Sequence, residues 1–337
     1  MLIDHWGRPI TYLRVSVTDR CNLRCVYCMP PEGIPQVSHA AVMRYEEIAE
    51  VVRLAAAQGI RRVRLTGGEP LVRLGLPDLV RMLAAIPGIE DLSLTTNGIL
   101  LERLAPALKD AGLHRVNVSL DTLDPQKFSR ITRGVFPRAG DEPSFLSAWR
   151  GIEAAEAAGL TPIKINVVAM RGVNDDELRD LALLTLRRGW HVRFIELMPL
   201  SNQSSWGEGF PDPQSVYLSI PEIKAALTPL GLQPVESSAA GNGPAREYRL
   251  PGAAANVGFI SPLSDHFCQQ CNRLRLTADG SFRPCLLLDE EVPFLSALRS
   301  GQSILPYLQQ AVDRKPAGHE LAQRRLPTQR TMRQIGG

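Results

Sequence analysis

Three cysteines near the N-terminus have the spacing of ligands for one soft metal centre. Cys21, Cys25 and Cys28 form a C-x3-C-x2-C array directly after an apolar run that ends at Val17. Thiolates on so short a loop can converge on one centre and leave one coordination position open for chemistry. A structural zinc site needs four ligands, and no fourth Cys or His stands immediately beside this group. Three thiols also cannot all pair as disulfides.

The remaining cysteines form a second group near the C-terminus, in which Cys268 and Cys271 are followed after a gap by Cys285. No thiol of the chain is left over. Reduced thiolates in two metal-binding groups imply a reducing compartment. A zinc ribbon completed by His266 is the alternative for this second group.

The segment between the last two cysteines predicts a β-hairpin that turns at Asp279 and Gly280. Strand alternation places Arg273 and Arg275 on the face that carries Cys271. The sequence therefore predicts cations beside the second metal group.

Composition sets limits on the rest of the protein. With 337 residues, of which 44% are hydrophobic, the chain can bury one large core and carry a smaller appendage. We find no signal peptide and no apolar run of transmembrane length, so we expect a cytoplasmic protein without a membrane partner. A net charge of +3 gives no argument for nucleic acid, so an anionic ligand would need a local group of Arg and Lys side chains.

Strand-like and helix-like segments alternate along the first two thirds of the chain. Six runs rich in Val, Ile and Leu predict strands at Tyr12 to Val17, Arg62 to Thr66, Asp91 to Thr95, Arg115 to Leu120, Pro162 to Val168 and His191 to Leu197. Helical periodicity follows at 45–58, 101–111, 145–158 and 177–188. This alternation predicts parallel βα units, in either a partial (β/α)6 barrel or an open doubly wound sheet.

Polar residues at the strand ends decide between these two architectures. Such residues stand at the carboxyl ends of five of the six predicted strands. They are the first cysteine group, the 67–70 turn, the 96–98 turn, Ser119 with Asp121, and Met198. In a barrel these ends form one rim around one cavity. We therefore predict an α/β fold, a partial (β/α)6 TIM-type barrel at 1–216, with a smaller C-terminal α+β extension at 217–313 that carries the second group. A surface insertion is expected at 136–143, and a basic tail at 314–337 ends in Gly336 and Gly337.

The first cysteine array, with Tyr27 before its last Cys, resembles the signature of the radical S-adenosylmethionine enzymes. The flanking residues from Leu13 to Pro30 are similar to those of the GTP 3',8-cyclases of molybdenum cofactor biosynthesis. The resemblance implies that the three thiolates hold three irons of a [4Fe-4S] cluster, whose fourth iron chelates S-adenosylmethionine. It also implies a cofactor pocket lined by Tyr27, Gly68, Ser119 and Met198.

The same resemblance assigns the second cysteine group and the substrate contacts. Cys268, Cys271 and Cys285 would hold an auxiliary [4Fe-4S] cluster whose open iron binds the guanine of GTP. Contacts to GTP would come from Arg14, Arg64, Thr95, Lys164, Arg273 and Arg275. Catalysis would further involve the tail, because Gly336 and Gly337 would reach into the active site.

The implied reaction is cyclisation of GTP. A 5'-deoxyadenosyl radical removes hydrogen from C3' of the ribose, and C3' then attacks C8 of guanine. The implied partners are an electron donor of flavodoxin or ferredoxin type and a separate cyclic pyranopterin monophosphate synthase that takes the product, and the chain could form a homodimer. The alternatives are a peptide-modifying radical enzyme with an auxiliary cluster and a zinc-binding structural protein.

Overall fold

The computed structural model describes residues 1–134, 144–198, 206–235, 244–319, 327–328 and 330–336. The predicted insertion at 136–143 and the terminal Gly337 lie outside these ranges.

Six parallel strands form the centre of the fold. Their bounds are β1 (Tyr12–Ser16), β2 (Arg62–Thr66), β3 (Asp91–Thr96), β4 (Arg115–Ser119), β5 (Lys164–Ala169) and β6 (His191–Glu196). They are hydrogen-bonded in chain order. The sequence located all six strands to within about two residues at each end, because their β-branched and leucine runs end at polar residues.

Helices cover the outer face of this sheet. They are α1 (Tyr45–Ala57), α2 (Leu76–Ala84), α3 (Leu101–Asp110), α4 (Pro125–Thr132), α5 (Ser144–Ala157), α6 (Leu178–Arg187) and α7 (Ile220–Leu227). Sequence analysis did not assign α2 or α4. Both are short, and each begins at a local signal, Gly75 in a left-handed conformation before α2 and the Asp124 carboxylate that caps α4.

The C-terminal part adds strands to both edges of the same sheet. The remaining elements are β7 (Gln233–Pro234), β8 (Arg246–Arg249), β9 (Val257–Ile260), β10 (Arg273–Leu276), β11 (Ser281–Arg283), β12 (Val292–Pro293), α8 (Leu295–Arg299) and α9 (Leu305–Asp313). Strand β10 pairs in parallel with β1, and β9 pairs in parallel with β6. The described sheet therefore runs β12-β11-β10-β1-β2-β3-β4-β5-β6-β9-β8-β7.

The alternation of residues along the strands separates an apolar outside from a polar inside. Leu13 and Val15 of β1 and Val63 and Leu65 of β2 are fully buried in the core that also contains helical residues such as Ile48. The intervening residues of these strands are Arg, Tyr, Ser and Thr. Since successive side chains point to opposite faces, the polar set lines the concave face of the sheet. No helix in the described part of the chain has the length and apolar character to cross a lipid bilayer.

Candidate active site

The first cysteine group lies on an irregular loop between β1 and α1. Cys21, Cys25 and Cys28 are free thiols that line one cavity with a volume of about 290 Å³. The loop is held from outside by α4, because Arg24 and Val26 donate backbone hydrogen bonds to carbonyls at its C-terminal end. Burial raises the pKa of all three thiols, to about 12 at Cys21 and about 11 at Cys28. The thiolate forms that a metal requires therefore gain from a bound cation.

Two glycines bring the second rim motif against this loop. The Gly68 amide donates to the carbonyl of Thr18 at 2.8 Å. A Cβ at Gly67 would lie 2.4 Å from the Thr18 oxygen, and one at Gly68 would lie 2.3 Å from the Arg20 oxygen. Sequence analysis assigned Gly68 to the cofactor pocket by resemblance. The structure shows a packing reason for both glycines, which is that only glycine lets the β2 turn pack on the cysteine loop.

Tyr27 is fixed inside the cavity by a buried carboxylate. Its hydroxyl donates to Asp121 at 2.7 Å, and the other oxygen of Asp121 accepts from the Val168 amide at 2.8 Å. Burial raises the pKa of Asp121 to about 6. Ser119 and Met198 line the same cavity. All four residues assigned to S-adenosylmethionine by resemblance thus lie around one space with the first thiols.

Glu69 of the same rim is buried and accepts three hydrogen bonds. Its carboxylate receives the Thr96 hydroxyl at 2.7 Å, the Asn97 amide at 2.7 Å and the Leu71 amide at 3.0 Å. Burial outweighs these bonds and raises its pKa to about 7. The motif after β2 is in this way tied to the motif after β3.

The second cysteine group lies beside the same cavity. Cys268, Cys271 and Cys285 line an adjoining space of about 80 Å³. The predicted hairpin is confirmed, since β10 and β11 pair antiparallel around the 277–281 turn. The two spaces share wall residues, which are Met198, Pro262, Phe267, Arg273, Arg275 and Leu286.

Strand register explains why arginines gather between the two groups. Arg14 of β1 is the register partner of both Arg64 of β2 and Arg275 of β10. Residues in register on adjacent parallel strands point to the same face, so these three guanidinium groups enter the cavity at one level. Burial and repulsion from Arg275 and Arg64 lower the pKa of Arg14. Burial and repulsion from Arg273 lower the pKa of Arg275 to about 10. Both side chains remain cations at neutral pH, at an electrostatic cost that an anion would relieve.

Two further residues assigned to GTP differ in their placement. Thr95 lines the cavity, and its buried hydroxyl has no hydrogen-bond partner among the described residues. Lys164 is buried but does not line the cavity that the described residues form. It shares the inward face of β5 with Asn166, two residues nearer the start of the strand. Burial and the neighbouring Arg193 lower the pKa of Lys164 to about 7.

The C-terminal tail reaches this cavity. The Gly336 carbonyl accepts from Arg275 at 2.8 Å and from Arg14 at 3.3 Å. Gly336 has φ of +68°, and a Cβ there would lie 2.3 Å from the Thr66 hydroxyl oxygen. Only glycine fits this position without displacing β2. Before it, the guanidinium of Arg333 donates to the Asp19 carbonyl and lines the cavity.

Comparison with known proteins identifies the family. A model of the radical SAM superfamily matches residues 15–185, and one for Molybdenum Cofactor Synthesis C matches residues 190–321. Proteins named GTP 3',8-cyclase from Pelotomaculum thermopropionicum and Heliobacterium modesticaldum are each 50% identical to this chain, over 99% and 100% of both sequences. The chain belongs to the GTP 3',8-cyclase family. This confirms the family that the cysteine array and its flanking residues predicted.

A solved structure supports the fold of this family member. The crystal structure of Streptococcus suis SuiB bound to S-adenosylmethionine matches with a TM-score of 0.57 and 14% identity, over 83% of this chain and 60% of that chain. With the superfamily match, it confirms the partial barrel with a C-terminal extension. Membership of the superfamily also confirms one [4Fe-4S] cluster and S-adenosylmethionine as cofactors.

The arrangement of the thiols in each group is compatible with an iron–sulfur cluster. In the described part of this cyclase-family chain, no three His, Cys, Asp or Glu side chains are placed to hold one metal ion together. In a four-iron cluster each thiolate binds its own iron, so the sulfurs need not meet at one point. His266, the candidate fourth ligand of the zinc alternative, lines the second space.

Several residues of the site were missed from the sequence. Arg193 and Asn166 line the cavity from β6 and β5, Arg333 enters it from the tail, and Lys315 contacts the second cysteine group. Arg193 has a signal in retrospect, because it interrupts an apolar strand at an inward position. Lys315 and Arg333 have none, since their placement depends on contacts with residues about 40 and 300 positions away.

Proposed function

We propose that this chain cyclises GTP to (8S)-3',8-cyclo-7,8-dihydroguanosine 5'-triphosphate, the first step of molybdenum cofactor biosynthesis. One observation carries the proposal beyond family membership. The cavity between the two cysteine groups is lined by six arginines and only two carboxylates among the described residues. The arginines are Arg14, Arg64, Arg193, Arg273, Arg275 and Arg333. Such an excess of buried positive charge calls for a polyanion, and GTP with its triphosphate is one.

Cys21, Cys25 and Cys28 are proposed to hold the first cluster. When bound, this cluster and S-adenosylmethionine supply a 5'-deoxyadenosyl radical by reductive cleavage of the sulfonium. Tyr27, Gly68, Ser119 and Met198 would bind and orient the cofactor. The hydrogen bond from Tyr27 to Asp121 fixes the ring before the cofactor arrives, which reduces the ordering cost of binding.

Arg14, Arg64, Arg273 and Arg275 are proposed to bind the triphosphate, with Thr95 as a further contact. Each charge-assisted hydrogen bond is worth roughly 1.5 to 3 kcal/mol, so three or four of them would hold GTP without a Walker loop. Lys164 is kept as a proposed GTP contact, although it does not line the cavity formed by the described residues. Its place on the inward face of β5, two residues before the cavity-lining Asn166, supports this role.

Cys268, Cys271 and Cys285 are proposed to hold an auxiliary [4Fe-4S] cluster that binds guanine. The adjoining second space and the shared wall of Arg273 and Arg275 support this placement. A base held there and a triphosphate held at Arg14 would orient the ribose from both sides. The contribution of the protein is then proximity in a site closed to water.

The tail is proposed to take part in catalysis through Gly336 and Gly337. The hydrogen bonds of Gly336 to Arg14 and Arg275 support the proposal, because they place the tail on the same guanidinium groups as the substrate. Arriving phosphates would therefore compete with the Gly336 carbonyl, and tail position would report on substrate binding.

The remaining proposals concern organisation and partners. We propose a partial barrel at 1–216, a C-terminal region at 217–313 and a tail at 314–337, supported by the change from parallel βα units to strands with antiparallel neighbours. Reductive cleavage needs an external electron, which supports a flavodoxin or ferredoxin donor. The product would pass to a cyclic pyranopterin monophosphate synthase. Six free thiols support a cytoplasmic location. A homodimer stays a prediction.

The test is substrate-dependent turnover by the anaerobically reconstituted protein. With S-adenosylmethionine and a reductant, GTP should stimulate 5'-deoxyadenosine formation and yield the cyclised nucleotide, detected by mass spectrometry. The variant Arg275→Ala should need about tenfold to a hundredfold more GTP for this response. Arg61→Ala, which removes only a surface ion pair with Glu90, should respond like the wild type. Stimulation by peptides and none by GTP would favour the peptide-modifying alternative.

A further inference from the structure

Lys315 is a buried lysine beside the second cysteine group. Its side chain is 4% exposed, and its ammonium lies 3.8 Å from the Cys271 sulfur. The same ammonium donates to the carbonyls of Arg273 at 2.7 Å and Pro284 at 3.0 Å. These carbonyls lie within two residues of Cys271 and Cys285. One ammonium therefore holds together the two ends of the hairpin that carries both thiols.

The charge of Lys315 has no carboxylate counterion in the described part of the chain. The carboxylate whose charge acts on Lys315, that of Asp4, is already paired with Arg8 at 2.6 Å, and Arg8 also donates to the Cys268 carbonyl. A lysine is rarely buried unless it is paired. The thiolates of Cys271 and Cys285 are the negative groups left to pair with it, together with whatever they bind.

We propose that Lys315 is a positioning residue that raises the reduction potential of the cluster held by the second cysteine group. The inference rests on the proposed function, which supplies that cluster. Reduction adds one electron and makes the thiolate-bound group one unit more negative. A fixed cation at this distance, donating a hydrogen bond to a ligand sulfur, stabilises the reduced state more than the oxidised state. Lys315 thus makes the second cluster easier to reduce and favours the binding of an electron-rich ligand to it.

The test is a redox titration of full-length, anaerobically reconstituted protein followed by electron paramagnetic resonance. Dithionite, delivered through mediator dyes, is the one-electron source, and the signal that changes when GTP is added reports the second cluster. In Lys315→Gln, which keeps hydrogen-bond donors but loses the charge, the ratio of reduced to oxidised second cluster at a fixed potential should fall at least tenfold. For one electron this corresponds to about 59 mV.

Two controls separate charge from structure. Lys315→Arg should keep a potential near that of the wild type. Lys109→Gln should leave it unchanged, because the exposed Lys109 also donates to a backbone carbonyl, that of Gly159, but is remote from the thiols.

Each outcome decides the matter. A full iron content with an unchanged potential in Lys315→Gln would overturn the inference. If Lys315→Gln loses the second cluster, retention of that cluster by Lys315→Arg supports a role of the charge, and its loss there as well overturns it. A wild-type protein with iron for one cluster only refutes the second cluster itself and the inference with it, and this failure is visible before any variant is made.

Discussion

The two cysteine groups have the same ligand type but differ in the charges around their thiols. Around the first group, burial raises the pKa of every thiol, and Glu69 and Asp121 raise it further at Cys21 and Cys25. Around the second group, burial likewise raises the pKa of Cys268 and Cys285, but at Cys271 the cations of Lys315 and Arg273 outweigh burial and lower the pKa. The second group therefore contains one thiol, Cys271, whose surroundings favour negative charge, and the first group contains none.

This difference would suit the division of labour that we propose between the two clusters. A cluster whose surroundings resist negative charge is a strong reductant once it has been reduced, as cleavage of a sulfonium requires. A cluster among cations is suited to bind an electron-rich purine next to a triphosphate. The tail links the two environments, because Arg333 brings a cation to Cys21 and Cys28 while Gly336 contacts Arg275 at the other side.

The largest expected effect comes from removing one thiol from either group. Cys25→Ala should abolish 5'-deoxyadenosine formation, because no radical can be generated. Cys285→Ala should abolish the cyclised nucleotide but leave slow, GTP-independent cleavage of S-adenosylmethionine. Both products are measured by chromatography, with iron content as the control for each variant. Equal loss of cleavage in both variants would contradict the division between the two groups.

The next effect concerns the arginines between the groups. Arg14→Ala and Arg275→Ala should each weaken GTP binding by about tenfold to a hundredfold, since each removes a charge-assisted hydrogen bond of roughly 1.5 to 3 kcal/mol. Binding of S-adenosylmethionine should change little. Calorimetry measures both affinities, with Arg61→Ala as the surface control. Unchanged GTP affinity in both variants would show that the triphosphate binds elsewhere.

A smaller effect is expected at Lys164 and depends on pH. Its pKa is lowered to about 7 in the folded protein, so the folded state holds fewer protons than the unfolded state between pH 7 and the ordinary lysine range. The buried charge therefore destabilises the GTP-free protein fully below pH 7, and this cost is lost as pH rises toward about 10.5. Lys164→Met should raise the melting temperature most at pH 6, and the gain should shrink by pH 9. A lower melting temperature at every pH would refute this account.

The smallest effect tests whether the side chains around the first cysteine group are preorganised for cofactor binding. Tyr27→Phe removes the hydrogen bond to Asp121 and should weaken binding of S-adenosylmethionine by about fivefold, the equivalent of roughly 1 kcal/mol. Tyr45→Phe is the matched control, because it removes an exposed hydroxyl that bonds the Leu74 carbonyl. Equal cofactor affinity in the two variants would show that the Tyr27 hydroxyl does not preorganise the site.

The parts of this molecule that could be predicted are those set by local pattern. The six strands follow from β-branched runs, the hairpin at 277–281 follows from its Asp-Gly turn, and both cysteine groups follow from spacing. The row formed by Arg14, Arg64 and Arg275 was assigned by resemblance only. Its physical cause is the register of β10 against β1, which no local pattern contains.

Other features depend on how distant segments meet. The pairing of β9 and β10 with the two barrel edges places the C-terminal extension inside the same sheet, although its composition alone indicates only an appendage. The separation of Lys164 from the cavity wall depends on its position at the start of β5. The positions of Lys315 and Arg333 depend on the course of the tail, where apolar periodicity is absent.

The most direct test of two clusters facing one substrate is iron anomalous scattering from crystals of the reconstituted protein with GTP. We predict two four-iron peaks, one at Cys21, Cys25 and Cys28 and the other at Cys268, Cys271 and Cys285, with the triphosphate against Arg14 and Arg275 between them. A single iron peak, a zinc ion at the second group, or GTP bound outside the shared cavity would contradict it.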